Sequence, residues 1–384
     1  MPARGRRFGR NNVPGKAIAL EAQVDGRLYV PAKSCRVMKM INCAFETIPS
    51  RFLGRLRWFI ALRPRVIPWV FLGIIASTLP AFAAVKTIRI AIPGQPYIVA
   101  FQVAKARGYY LQENLNVELV QMPVGVGVKA TVAGNVEFAA MGSALFSAIL
   151  GGMPLKIVMS SFRRPLFFVY AKPEIRDLSQ LKGKKIGVPA IGTAGHSMLV
   201  DVLRKHGQDP GRDISMLGLG LTETLLQALI GGVIDAAILS PPYSFIADEA
   251  GYRQLISFLD EDVIFPGGGI GADESFLRAN PSLVEQFTRA SLKGHLYARS
   301  NKAGTIPIIA RQMRMKEAYA AKYFDLMQRA TTADGSIDPD EQRKALEPAL
   351  RLRRDKEAPP LERVFDFSKV RRIGKELRES NWRP

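Results

Sequence analysis

The chain has 384 residues, enough to bury a large core and to divide into two lobes. Its formal net charge is +20, but residues 1–84 alone hold 14 Lys and Arg against 3 Asp and Glu, and the remaining 300 residues carry only +9. That remainder has no basic stripe interleaved with aromatics, and the runs LRLRRDK (350–356) and VRRIGKELR (370–378) read as solvated helix faces, so nucleic acid is excluded as a partner.

In chain order, residues 1–50 are an irregular basic leader with no readable core, and Met38 and Met40 are alternative starts. Residues 51–83 read as a signal peptide. Arg51, Arg55, Arg57, Arg63 and Arg65 precede the uncharged run VIPWVFLGIIASTLPAFA (66–83). Pro80 breaks the helix, and Ala81-Phe82-Ala83 is a small-x-small cleavage signal, with cleavage near Ala83/Ala84. The alternative is an uncleaved segment 66–84 that anchors the protein to the inner membrane. Both cysteines, Cys35 and Cys43, precede the signal. The exported chain therefore has no disulfide and no thiol nucleophile.

From Lys86 strands alternate with helices. A strand over 87–92 leads to a helix over 96–107, then to the strand NVELVQM (116–122). A helix, the strand EFAAMG, another helix and the strand KIVMSS follow, and PLFFVYAK (165–172) reads as a crossing strand. DLSQLKGKKIGVP opens a second unit that repeats the plan to about residue 258. VIFPGGGIGAD (263–273) crosses back, and the remainder is mostly helical. The expected division is 84–170 with 268–384 as the first lobe and 171–267 as the second. DGSID (334–338) lacks the further ligands of a calcium loop, and Asp338 with Pro339 and Glu341 reads instead as a helix cap.

The two units echo each other. AGNVEFAAMGSALFS (133–147) aligns with GGVIDAAILSPPYSF (231–245), placing Gly134 on Gly232, Val136 on Ile234, Glu137 on Asp235 and Ala139 on Ala237. The recurrence of about one hundred residues is too long for a solenoid and points to two similar α/β lobes. Strand–helix alternation implies mostly parallel sheets, whose ligands bind outside the C-terminal strand ends. Helix starts are expected there near residues 95, 143, 193 and 240. Each of Gln95, Ser143, Thr193 and Ser240 taken alone reads as a cap for its own helix; the set reads as a shared cleft. Helix starts offer unpaired N–H groups and favour an anion by roughly 0.3–1 kcal/mol each.

The blocks IRIAIPGQPYIVAFQVAKARGYYLQENLNVEL, TVAGNVEFAAMGS, LSQLKGKKIGVPAIGTAGHSML, LLQALIGGVIDAAILSPPY, LRANPSLVEQFTRA and VFDFSKVRRI resemble the substrate-binding proteins of nitrate, sulfonate and taurine ABC importers, a family that also includes thiamine-pyrimidine-precursor proteins. The resemblance covers residues 86–375. It implies a two-lobed periplasmic-binding-protein fold of type II, each lobe a mostly parallel sheet flanked by helices, with two crossover segments as hinge. It implies capture of a small polar or anionic organic solute and delivery to a membrane permease with its cytoplasmic ATPase, by a periplasmic monomer without cofactor or metal. Carried onto matching positions, the family's contact regions are Gln95, Pro96 and Tyr97; Gly142, Ser143 and Ala144; Thr193, Ala194, Gly195 and His196; and the corner of Pro241 and Tyr243. None of these turns carries an arginine to clamp a sulfonate or nitrate, and Arg163 and Arg164 are expected to face solvent.

The rival reading is an enzyme of thiamine-precursor or related small-molecule metabolism on the same fold. The enzymes that the resemblance brings to mind use a cysteine-rich motif and iron, which the exported chain lacks. Glu223 and Asp235 are the acidic candidates for such chemistry, and each also fits a helix start or turn. His206 and His295 read as surface or core residues, whereas His196 follows Gly195 at a cleft turn. A third reading, an anchored sensor domain, requires that the signal remain uncleaved.

Overall fold

The computed structural model describes residues 85–93, 97–353 and 358–384. The leader, the signal segment, both cysteines, Gln95 and Pro96 lie outside the described residues.

Two five-stranded sheets hold the frame. The first is built from β1 (Lys86–Ile92), β2 (Leu115–Gln121), β3 (Phe138–Ala139) and β4 (Leu155–Ser160), with helices α1 (Val99–Ala106), α2 (Tyr109–Gln112), α3 (Val124–Val132) and α4 (Gly142–Leu150) between them. The second is built from β5 (Phe168–Ala171), β6 (Lys185–Val188), β7 (Ser215–Gly218), β8 (Ala236–Leu239) and β9 (Arg253–Ser257), with α5 (Ala194–Lys205), α6 (Thr222–Ile230) and α7 (Tyr243–Glu249). Strand β10 (Gly269–Asp273) returns to the first sheet.

The strand orders are β2-β1-β3-β10-β4 and β7-β6-β8-β5-β9. They are one topology used twice. In each, the strand that arrives from the other sheet, β10 or β5, runs antiparallel to both of its neighbours. The sheets are therefore mixed, with four strands in one direction and a single reversed strand. Burial follows: β3, β4, β5 and β8 are covered on both faces, as sheets with helices on either side require.

The aligned stretches do the same work in each sheet. Gly134 and Gly232 take left-handed φ values of 73° and 71° and end α3 and α6. The N–H groups of Asn135 and Val233 then reach back to the carbonyls of Ala130 and Ala228. Next, the Glu137 carboxylate accepts from the Arg89 N–H (2.7 Å), and the Asp235 carboxylate from the Lys185 N–H (3.0 Å). The acidic residue in each echo stands just before its own strand and bonds a backbone N–H of the neighbouring parallel strand.

The C-terminal region is helical: α8 (Glu274–Ala279), α9 (Pro281–Ser300), α10 (Lys302–Gln312), α11 (Glu317–Ala330), α12 (Pro339–Arg353), α13 (Leu361–Val364) and α14 (Ser368–Glu379). Helix α9 packs on the first sheet's side, where Phe287 stacks on Phe138 with ring centroids 4.0 Å apart. Helix α12 lies against α5, joined by Arg351 and Asp201 (2.7 Å). The Asp338 carboxylate accepts from the Glu341 N–H (2.9 Å), the expected cap. No helix among the described residues is long and apolar enough to cross a membrane.

The two crossings run side by side. The Phe265 N–H donates to the Arg163 carbonyl (2.7 Å), and the Ser161 N–H to the Gly268 carbonyl (3.3 Å). A third pass, residues 331–337, joins them: Thr332 donates through its N–H to the Ser161 carbonyl and through its hydroxyl to the Ser160 carbonyl. His295 on α9 sits 2 % exposed with Nε2 2.9 Å from the Thr332 carbonyl, a core histidine. Burial holds its pKa down at about 4.

Candidate functional site

The parallel strands deliver their C-terminal ends to turns that start the next helices, and the expected contact residues lie on those turns. The structure distributes them unequally.

On the first sheet's side the turn after β1 carries Tyr97, which is buried. Its ring meets Phe162 edge-on at 5.0 Å and lies 5.9 Å from Phe265, one aromatic from each crossing. The Leu166 N–H donates to its hydroxyl oxygen (2.9 Å). Burial pushes the hydroxyl pKa up, partly offset by that bond. Tyr97 is thus built into the crossings rather than standing as an open wall. Its helix begins later than expected, at Val99.

The turn after β3 is as closely engaged. Helix α4 starts at Gly142, so Ser143 lies within its first turn and not before it. Gly142 has φ +37°, and a Cβ there would stand 2.4 Å from the Pro266 carbonyl oxygen. Only glycine fits, because the returning crossing runs directly over this helix start. Ala144 follows, half-buried.

The second sheet's turns are freer and polar. Thr193 takes the cap position of α5, but its hydroxyl donates to the Ala190 carbonyl (2.8 Å) instead of capping. His196 supplies a contact from inside the first turn, with Nδ1 accepting from the Gly192 N–H (3.4 Å). An accepting Nδ1 places the proton of the neutral ring on Nε2. Burial lowers the pKa of His196, which favours that neutral form. Ala194 and Gly195 lie between them in the same helix start.

The helix expected to begin at Ser240 begins at Tyr243, with Pro242 as its cap residue. Two prolines cannot donate N–H groups, so the chain runs on beyond the strand before it coils. Ser240 and Pro241 are buried beneath this corner. The Ser240 hydroxyl lies 3.4 Å from that of Thr222, and the Tyr243 hydroxyl donates to Glu223 Oε2 (3.2 Å). Burial raises the Tyr243 pKa, and the neighbouring carboxylate adds to it.

Thr222 and Glu223 open α6 at the end of β7. From sequence, Thr222 has no site role and Glu223 is a candidate only as an acid for catalysis. The signal was GLGLTET, a glycine-rich strand-to-helix turn of the same kind as its neighbours. This turn is bonded to the His196 turn, since the N–H groups of Leu219 and Gly220 donate to the carbonyls of Val188 and Pro189. Three strand ends, after β6, β7 and β8, thereby form one polar platform. Ile191 and Leu221 flank it, 56 % and 71 % exposed.

Arg163 and Arg164 are engaged rather than solvated. Arg163 pairs with Glu341, and Arg164 donates to the Glu261 carbonyl (2.8 Å). Among the described residues no group of His, Cys, Asp and Glu could hold a metal ion.

A family model described as NMT1/THI5 like matches residues 95–303, more than half of the chain. The chain belongs to the NMT1/THI5-like family. Two curated relatives share part of it. The riboflavin-binding protein RibY of Chloroflexus aurantiacus is 28% identical over 206 residues, which is 50% of this chain and 56% of the relative. A putative thiamine biosynthesis protein of Haemophilus influenzae is 29% identical over 166 residues, 42% of this chain and 52% of the relative. The match spans just over half the length of each. Among solved structures, the periplasmic aliphatic sulphonate binding protein SsuA of Escherichia coli superposes with a TM-score of 0.61 at 19% identity, covering 75% of this chain and 97% of its own. The desulfurization enzyme DSZB superposes with a TM-score of 0.58 at 15% identity, covering 76% of this chain and 99% of its own. At these identities the likeness is one of fold. The chain has the periplasmic-binding-protein fold, and that fold carries both binding proteins and an enzyme.

Proposed function

We propose that the protein is the extracytoplasmic solute-binding component of an ABC importer. It captures a small polar organic solute between its two lobes and presents it to a membrane permease powered by a cytoplasmic ATPase. The observation that carries this reading is the platform of three strand ends on the second sheet. The two sheets are joined by two hydrogen-bonded crossings, and in this reading the first sheet's helix starts form the other wall of the site. Paired crossings of this kind form a hinge, and closure of two lobes about a hinge is a known way to enclose a ligand.

In this reading the platform supplies the polar contacts: the Tyr243 hydroxyl, the His196 ring and the N–H groups at the start of α5. Gly142 and Ala144 offer backbone and small side-chain surface from the opposite lobe, and the backbone of Ser143 lies in the same helix start. The family resemblance assigns Gln95 and Pro96 to the same contact region as Tyr97. Export to the periplasm rests on the signal segment of residues 51–83.

A second reading is favoured by the fold it shares with a desulfurization enzyme. It calls for a reacting pair in the cleft, and His196 and Glu223 are the titratable side chains of the platform other than Tyr243. One experiment separates the two. The purified protein is stripped of bound solute by unfolding and refolding, then screened by thermal shift against sulfonates, nitrate, pyrimidines, amino acids and aromatic acids. A solute at 100 times its dissociation constant adds about 2.7 kcal/mol. A shift with one chemical class and the solute recovered unchanged is expected. Product formation would favour the enzyme, and silence across all classes would sink the binding reading.

A further inference from the structure

The platform has an electrostatic sign, and it is not the one that suits a simple anion. Its three turns, residues 189–193, 219–223 and 240–243, contain no lysine or arginine. The same holds of the first sheet's turns, 93–97, 122–127 and 140–144. The crossings do contain Arg163 and Arg164, which are held by Glu341 and the Glu261 carbonyl. His196 has its Nδ1 turned to a backbone N–H and sits neutral. The one formal charge left on the platform is the Glu223 carboxylate.

A carboxylate in the first turn of α6 is good for the helix, since it faces the positive end of the dipole. That accounts for an acidic residue at this place. It does not account for Tyr243, which comes from the turn of a different strand and directs its hydroxyl to Oε2 at 3.2 Å. The phenol ties down one oxygen of this exposed carboxylate and leaves Oε1 without a hydrogen bond among the described residues. The same turns carry the exposed apolar side chains Ile191 and Leu221. A tethered acceptor on turns with apolar surface fits a solute with an N–H donor on a carbon framework. It repels one that presents only anionic oxygens.

We infer that Glu223 is a specificity-determining residue, held in place by Tyr243, and that it selects solutes carrying an N–H donor group, either an ammonium or an amino-substituted ring, over solutes whose only polar groups are anionic. The inference rests on the solute-binding reading and narrows it. It also removes bare nitrate and simple alkanesulfonates from the candidate solutes. An amino-sulfonate remains compatible, with its anionic end at a helix start and its ammonium at Glu223.

Matched pairs test this on the full-length protein. Taurine is compared with ethanesulfonate, which differ in the amino group alone, and 4-aminopyrimidine with pyrimidine, which differ in the exocyclic amine alone. Affinities are measured by calorimetry for the wild type, Glu223→Gln and Tyr243→Phe, with the melting temperature of each unliganded variant as a check on folding. In at least one pair the amino member is expected to bind 10-fold or more tightly than its partner. Glu223→Gln should erase most of that ratio with a melting temperature lowered by no more than about 2 °C, the loss of a charge at the helix start, and Tyr243→Phe should reduce it by less. Ethanesulfonate and pyrimidine affinities that both equal those of their amino partners overturn the inference and leave the binding reading intact. So does a preference that survives Glu223→Gln. Failure of all four probes, with a shift from some other class in the broad screen, overturns it if that solute has no N–H donor and supports it if its affinity falls 10-fold or more in Glu223→Gln and overturns it otherwise. Failure of every solute takes down the binding reading, and the inference with it.

Discussion

The two sheets have the same strand order, the same glycine ends to their helices and the same carboxylate-to-strand contact, yet their strand-end turns are put to different uses. On the first sheet, Tyr97 and Gly142 are packed into the crossings. On the second, Ser240, the counterpart of Gly142 in the aligned repeat, leads into an open corner where Tyr243 reaches Glu223. Duplicated topology fixes where the turns are. What each turn does depends on which crossing runs over it.

The contrast is broken most strongly at the glycines. Gly142→Ala would combine left-handed strain of about 1–2 kcal/mol with overpacking against Pro266 of a further ~1–3 kcal/mol. Gly232→Ala, at φ +71° with nothing within 4 Å of the added Cβ, should lose the strain alone. Urea midpoints of the two variants measure the difference, and equal losses would mean that the crossing does not press on α4.

The histidines sharpen it next. His295 is buried beside the third hinge pass, and its pKa of about 4 lies below the ordinary value of 6.5. The unfolded chain therefore binds a proton that the folded chain refuses as pH falls from 6.5 towards 4. Stability should decline through that window by roughly 3 kcal/mol from this group. His295→Gln, which keeps a donor for the Thr332 carbonyl, should show a shallower acid limb in urea titrations at successive pH values.

The tyrosines give the smallest contrast in stability. Tyr97→Phe leaves the buried Leu166 N–H without its acceptor, a loss of about 1–3 kcal/mol. Tyr243→Phe removes a partly exposed bond and should stay within about 0.5 kcal/mol. Thermal denaturation reads both, and a large loss at Tyr243 would count against an open platform.

The sequence carried the elements and the repeat well. Glycine, acidic and alanine positions agreed across the echo because each has a backbone task that recurs with the topology. The helix starts were read less well. Ser143 and Ser240 look like caps, but a helix begins where donors and sterics allow. Glycine let α4 start one residue early, while two prolines delayed α7 by three. Tyr97 could not be placed from sequence, because its surroundings come from residues 162, 166 and 265. The same is true of Glu223, whose partner is twenty residues away on another turn.

The reversed strand in each sheet also bears on the order of synthesis. Strand β4 pairs with β10 and, through Ile157, bridges to Phe365, so it has no neighbour until residues 269–273 have been made. The second sheet has all five of its strands by residue 257. A chain released between these points would hold one complete sheet and one with a gap in its middle. The part that begins first is thus finished last, and its assembly depends on contacts far apart in sequence, which fold slowly. Late completion of the leading sheet leaves it open until nearly three quarters of the chain exists.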